Sequence, residues 1–447
     1  RPARGGAAAV SDAGHTRRRD PAHAPPAGGV PSVERGATVA GMRPTPALAA
    51  LALAACGRLG FRDAPIDAPA DADPNDHRVI PAGYCLHKIA VPDAPVAELA
   101  ATATVDGLAV VWSGDPAGLH GLTITPGVGR QPSALRTYDK ITDARLSGLG
   151  EATAVIDLLT GDAGGVLSLH RLTHDLASHV DTVRVGAGLA GRDLLPAQFD
   201  RRRRVAASAA GNTIGGGFLT FAASAAAGDG TLGAVSSFTL PADARVLELA
   251  CADGPTDHAH CAWSMTGAGV GPPQRCVGTD LKFDKPPNPA PPAPQGYADL
   301  PGNGLVGACA QLRITSSLPE HDAIIASWVR QPDVGVLDGP IEAALIGSIG
   351  NAHAKIAATG RAPQIRFDGS RTWIAWRDPA GSLRLASADF GLASDKNPDL
   401  SSTVTTLAFA DWRPATDASF ALITNYTRTA IVLLVLTRGE LAVLDPC

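Results

Sequence analysis

An all-β ring of repeated four-stranded units is the fold class this sequence predicts, and three observations carry that expectation. The first is composition: of 447 residues, 45% are hydrophobic, 18% charged and only 4% aromatic, with 49 Gly and 36 Pro. Short strands and frequent turns suit that mixture better than long helices. The second is a hairpin theme that recurs seven times after residue 84, each copy an apolar run, a tight Gly/Asp/Pro turn and a returning run. The third is spacing. The last large residues of the first runs are Trp112, Leu159, Phe221, Trp263, Trp328, Trp376 and Leu436, at intervals of 47, 62, 42, 65, 48 and 60 residues. A period near 50 residues holding several short strands matches one blade of a β-propeller, so seven four-stranded blades are expected over residues 84–447.

The same figures exclude other classes. A coiled coil needs more charge and a persistent heptad, and wholesale disorder needs fewer apolar residues. No apolar run reaches the roughly 18 residues of a spanning helix. Formal net charge is −5, whereas a nucleic-acid surface requires clustered positive charge, so nucleic acid is not an expected partner.

Taken in chain order, residues 1–41 are dominated by Ala, Gly, Pro and Arg, carry Arg17, Arg18 and Arg19 in a row, and show no apolar periodicity. They cannot build a core and are expected to be disordered or untranslated, with Met42 as the start. From Met42 the order is a positive residue (Arg43), an apolar stretch (residues 47–53) and the small residues Ala54 and Ala55, the layout of a signal peptide over residues 42–55. Leu53-Ala54-Ala55-Cys56 resembles the lipobox of bacterial lipoproteins. That resemblance implies a lipid on Cys56, which becomes the first mature residue, and Gly57 in place of Asp implies the outer membrane. The expected location is therefore the bacterial cell envelope, with the chain facing the periplasm or the surface.

Residues 56–83 are expected to be the anchor and a tether, because residues 63–74 repeat Asp, Ala and Pro in low complexity and stay extended and solvated. Assigning Cys56 to the lipid leaves Cys85, Cys251, Cys261, Cys276, Cys309 and Cys447. An even number in an exported chain suggests disulfides. Fifteen pairings are possible; spacing favours Cys251 with Cys261, Cys276 with Cys309, and Cys85 with Cys447, the last joining the two ends of the ring. Asp257, His258, His260 and Cys261 have some metal-ligand character but no second cluster at zinc spacing, so they are read as hairpin residues and neither metal nor cofactor is expected.

Within the ring, the clearest hairpins are residues 108–112 and 373–376, each followed by a turn that reads Asp-Pro-Ala-Gly. Residues 364–367 enter the sixth unit, Asp368-Gly369 turn it, and 372–376 and 383–387 follow as strands. The four tryptophans among the seven anchors are expected to fill the gaps between twisted neighbouring sheets.

No catalytic motif is present: no Gly-x-Ser-x-Gly elbow, His-Glu-x-x-His, Walker loop or dinucleotide fingerprint. Asp368-Gly369-Ser370-Arg371-Thr372-Trp373 resembles the end of the sialidase Asp-box, with Gly one place early and no second copy, and no catalytic residue is carried over from that family. Three clusters remain. Arg201, Arg202, Arg203 and Arg204 are a candidate binding patch for an anionic glycan or headgroup, although a solvated strand edge that discourages pairing is the favoured reading. Residues 285–294 are Pro-rich and expected to be extended. Glu320-His321-Asp322 is read as a polar turn. The function expected from all this is a lipid-anchored binding or interaction module for an envelope protein or glycan; an exported carbohydrate-active hydrolase or lyase with its site in the central funnel is the alternative.

Overall fold

The computed structural model describes residues 78–447 apart from a set of loops between strands, and every structural statement concerns those described residues. The chain divides into two units, Arg1–Ala72 and Asp73–Cys447, and the described residues belong to the second. The expectations placed on residues 1–77, Cys56 among them, lie outside the described residues.

The architecture is a seven-bladed β-propeller. Strand β1 (Tyr84–Ala90) is the first of the described strands and belongs to the last blade. Blade one runs outward as β2 (Val96–Thr104), β3 (Gly107–Gly114), β4 (Gly118–Ile124) and β5 (Arg136–Tyr138), and blade two as β6 (Arg145–Ala152), β7 (Val155–Gly161), β8 (Leu167–Thr173) and β9 (His179–Gly186). Blade three is β10 (Leu189–Pro196), β11 (Arg204–Thr213), β12 (Gly216–Ser224) and β13 (Val235–Thr239). Blade four is β14 (Arg245–Asp253), β15 (His258–Thr266) and β16 (Arg275–Lys282), edged by the two-residue strands β17 (Ala293–Pro294) and β18 (Ala298–Asp299). Blade five is β19 (Ala308–Ser316), β20 (Ala323–Gln331), β21 (Gly339–Gly347) and the first part of β22 (Ala352–Phe367). The rest of β22 is the innermost strand of blade six, followed by β23 (Thr372–Arg377), β24 (Leu383–Ala388) and β25 (Thr405–Thr406). Blade seven is β26 (Phe420–Thr424), β27 (Ile431–Thr437) and β28 (Glu440–Pro446), with β1 outermost.

The innermost strands touch in sequence, β2, β6, β10, β14, β19, β22 and β26, and β26 returns to β2, which closes the ring. Closure brings the first and last described strands together: β1 pairs with β28 along its whole length, from Tyr84 opposite Pro446 to Ala90 opposite Glu440. Cys85 and Cys447 are bonded across this joint with their Cα atoms 5.0 Å apart. The other two expected bridges are also present. Cys251 and Cys261 are direct partners in the β14–β15 ladder. Cys276 and Cys309 join β16 of blade four to β19 of blade five.

Where side chains are described, a blade packs both faces, so its strands are apolar on both sides. On β3, Leu108, Val110 and Trp112 face blade seven while Ala109 and Val111 face blade two. Trp328 fills the joint between blades four and five, and Trp376 the joint between five and six. All four anchor tryptophans are core: Trp112, Trp263, Trp328 and Trp376 expose at most 4% of their surface. Truncating a buried indole typically costs on the order of 3–5 kcal/mol.

Two local sequences explain irregularities. Strand β22 passes from blade five to blade six at Gly360, where a Cβ would lie 2.4 Å from Cδ1 of Trp376; only glycine lets the indole sit against the backbone there. In blade three, the anchor Phe221 falls on β12, the third strand, rather than on the second as in the other blades. The second strand, β11, reads Arg-Val-Ala-Ala-Ser-Ala-Ala-Gly-Asn-Thr and offers no large side chain beyond Val205 to mark it.

Candidate functional site

The inner strands all begin at one end of the ring, and the turns between second and third strands lie at that same end. This mouth face includes the Asp378-Pro379-Ala380-Gly381 turn, which joins β23 to β24. There the Asp378 carboxylate accepts hydrogen bonds from the Ser382 N–H and Arg384 Nε, each at 2.9 Å, while Gly381 takes the positive φ of 86° that the turn requires.

Near the mouth, six of the seven inner strands carry one extra residue relative to their partner. The register shifts fall between Val96 and Leu99, Leu146 and Gly148, Ala190 and Arg192, Val246 and Glu248, Ala310 and Arg313, and Arg361 and Gln364. A bulge bends its strand and leaves an amide without a ladder partner. At three of the six bulges the neighbouring blade supplies that partner. Leu99 N–H donates to the Ala418 carbonyl at 2.8 Å, joining blade one to blade seven. Leu312 N–H donates to Oε2 of Glu248 at 2.8 Å, joining five to four, and Ala362 N–H donates to Oε1 of Gln311, joining six to five. Gln311 and Ala362 hold positive φ angles of 55° and 52°, which for residues with a Cβ costs on the order of 1–3 kcal/mol and persists only where surrounding contacts enforce it.

Between blades five, six and seven the link is ionic. Arg361 Nη1 reaches both carboxylate oxygens of Asp338 at 3.2 Å, and its Nε reaches Oδ1 of Asp417 at 3.1 Å. Arg377 Nη1 donates to that same Asp417 oxygen. The result is an alternating row, Asp338, Arg361, Asp417, Arg377, of no net charge. Its arginines are mostly covered, at 20% and 14% side-chain exposure, while its aspartates stand out at 34% and 41%. Burial pulls the Arg361 guanidinium down, but the bonds and charges of Asp417 and Asp338 outweigh it and leave its pKa raised. Beside the row, Leu337 is 57% exposed and Val336 is also open to solvent; Gln311 Nε2 donates to the Leu337 carbonyl at 2.9 Å and holds that loop.

The residues singled out in the sequence are distributed differently. Arg201, Arg202 and Arg203 lie outside the described residues, and Arg204 opens β11, which pairs on both sides with β10 and β12. Arg204, the one described member of the run, therefore stands on an interior strand and not on a sheet edge. Residues 283–292 and the Glu320-His321-Asp322 turn lie outside the described residues, and the Pro-rich segment ends by joining the sheet, with Ala293 and Pro294 opposite Lys282 and Leu281. Asp257 lies outside as well; His258 and His260 are on β15, and the sulfur of Cys261 is held in its disulfide. Asp368 is a buried turn residue: one oxygen accepts from the Ser370 and Arg371 amides and the Ser370 hydroxyl, the other from Trp373 Nε1 at 2.6 Å. Sequence reasoning did not single out Glu248, Gln311, Asp338, Arg361 or Asp417. The only signal in the sequence was that Arg361 and Arg377 bracket the clearest hairpin.

No known family matches the chain, and no curated protein matches it. Solved structures that resemble it include a Penicillium chrysogenum α-L-arabinanase complexed with arabinobiose, at a TM-score of 0.45 and 10% identity over 71% of this chain and 99% of that one. A Fusarium graminearum α-L-arabinofuranosidase with arabinobiose matches at 0.40 and 10% identity over 75% and 98%. The N-terminal domain of Nup159 matches at 0.40 and 10% identity over 81% and 95%. Likenesses this distant carry no argument about chemistry.

Proposed function

We propose that the chain is a lipid-anchored, extracytoplasmic β-propeller that serves as a binding module at the cell envelope, held on the outer membrane through Cys56 and taking its ligand on the mouth face. The observation that supports binding over hydrolysis is the engagement of three described carboxylates there, Glu248, Asp338 and Asp417. Glu248 holds a backbone amide, and Asp338 and Asp417 hold guanidinium groups. A glycosidase needs two carboxyl groups at the reacting bond, one of them able to give up a proton; carboxylates committed to arginines and amides serve as scaffold. Three disulfides support an oxidising compartment.

Two measurements test this reading. Mass spectrometry of membrane-extracted protein should find acylated Cys56, and Cys56→Ser should move the protein to the soluble fraction; an unchanged distribution would overturn the anchor. Purified full chain incubated with envelope polysaccharide should retain it without generating reducing ends. Sustained release of reducing ends, abolished by a single carboxylate substitution, would make the chain a hydrolase instead.

A further inference from the structure

The alternating row at the mouth also indicates which ligand chemistry fits. An anionic ligand would have to displace Asp417, a carboxylate already tethered beside two guanidinium groups, and a cationic one would have to strip Arg361 from both aspartates. Neither sign is attracted from a distance, because the row sums to zero. A neutral ligand with adjacent hydroxyl groups displaces nothing. Each hydroxyl both donates and accepts, so neighbouring ones can donate to the open lone pairs of Asp338 and Asp417 and accept from remaining guanidinium N–H groups. The aspartates are the more exposed members of the row, at 34% and 41%. Leu337, 57% exposed, and Val336 flank Asp338 and provide an apolar surface of the kind that receives the C–H face of a sugar ring.

The geometry points to a neutral glycan as the ligand of the mouth face, held by Asp338, Arg361, Asp417 and Arg377 through its vicinal hydroxyls and by Leu337 through a ring face. This rests on the binding-module reading and names its ligand class. The test is calorimetric titration of the full chain with neutral pentose and hexose oligosaccharides, with galacturonate oligosaccharides and inorganic phosphate as charged arms. Neutral oligosaccharides are expected to bind and the charged probes not to. Asp417→Asn should weaken neutral binding at least tenfold. Leu337→Ala, at an exposed loop position away from the blade cores, should weaken it about threefold to fivefold with the melting temperature kept, so a folding defect in the first variant does not leave the idea unexamined. Tighter binding of the charged probes, indifference of neutral binding to both variants, or no oligosaccharide binding would overturn the ligand class. The binding-module reading fails separately, through turnover: an oligosaccharide that binds with the expected variant sensitivity but is cleaved would keep the ligand class and discard the module.

Discussion

Removing the three disulfides one at a time should reveal that ring closure, not local pairing, is where a cross-link matters. The bridges close segments of very different length, with sequence separations of 362 for Cys85–Cys447, 33 for Cys276–Cys309 and 10 for Cys251–Cys261. Treating each as a loop-closure restraint on the unfolded chain gives stabilisations of about 6, about 4 and about 3 kcal/mol at 25 °C. The native side sharpens the ranking. Cys251 and Cys261 are already ladder partners within β14 and β15, so the folded hairpin keeps them together without the bond. Cys85 and Cys447 sit at the end of the β1–β28 ladder, and Cys447 is otherwise tied by one backbone bond, its N–H donating to the Gly83 carbonyl at 3.1 Å. The variants are Cys85→Ser with Cys447→Ser, Cys276→Ser with Cys309→Ser, and Cys251→Ser with Cys261→Ser, followed by equilibrium urea unfolding on tryptophan fluorescence. Midpoints should fall most for the first pair and least for the third, at similar m-values. If the Cys85/Cys447 pair costs no more than the Cys251/Cys261 pair, the closure argument is wrong.

Two further perturbations test packing and ionisation. Gly360→Ala places a methyl against the indole of Trp376 and within 3.0 Å of the Arg377 carbonyl, so it should destabilise by about 1–3 kcal/mol in the same urea assay; an unchanged midpoint would mean that β22 does not need glycine where it changes blades. Tyr138 is buried and its hydroxyl donates to the Leu176 carbonyl, and burial chiefly pushes its pKa up to about 12. The folded pKa thus exceeds the unfolded value of 10, so the stabilisation is complete below pH 10 and is lost as pH rises from 10 through about 12. Tyr138→Phe should lose about 1 kcal/mol at neutral pH with the hydrogen bond and flatten the decline in stability above pH 10; an identical alkaline profile in the variant would assign that decline to other groups.

Much of the fold was written locally. Trp112 and Trp376 end a second strand just before an Asp-Pro-Ala-Gly turn, and the structure puts both at the same position in their blades, because that turn can connect only a tight antiparallel pair. The cysteine pairing was legible for a similar reason: Cys85 and Cys447 flank the repeats, and a ring needs its first and last segments together. What was hidden depends on contacts far along the chain. An extra residue in an inner strand looks like any other residue, and its meaning appears only where Glu248 reaches the Leu312 amide or Gln311 reaches that of Ala362, across 64 and 51 positions. Strand β22 runs through two blades with no turn of its own, its transition marked only by Gly360 and the positive φ of Ala362. Asp417 sits in the connector before β26, with no pattern to distinguish it until two arginines of the preceding blade are seen to converge on it.

The closing blade also decides how the ring meets the chain that precedes it. Arg78 pairs with Glu440 at 2.7 Å and lies 5.1 Å over the ring of Trp412, whose Nε1 donates to the Val79 carbonyl. Tyr84 N–H then donates to the Pro81 carbonyl as the chain turns into β1. A pull on the N-terminal side therefore meets the Arg78 clasp first, then the Tyr84–Pro446 pair, then the Cys85–Cys447 bond, behind which the rest of the β1–β28 ladder lies. The clasp is partly exposed, and ion pairs of that kind contribute up to about 1 kcal/mol, so it yields early. The covalent bond is loaded next, and by tying Cys85 to the residue that follows β28 it shields the pairs from Leu86 to Ala90 and keeps β1 from peeling away and exposing the edge of β28. In a chain free in solution that bond adds equilibrium stability alone. In one suspended by a lipid, as proposed for Cys56, it becomes the element that keeps the ring closed under load.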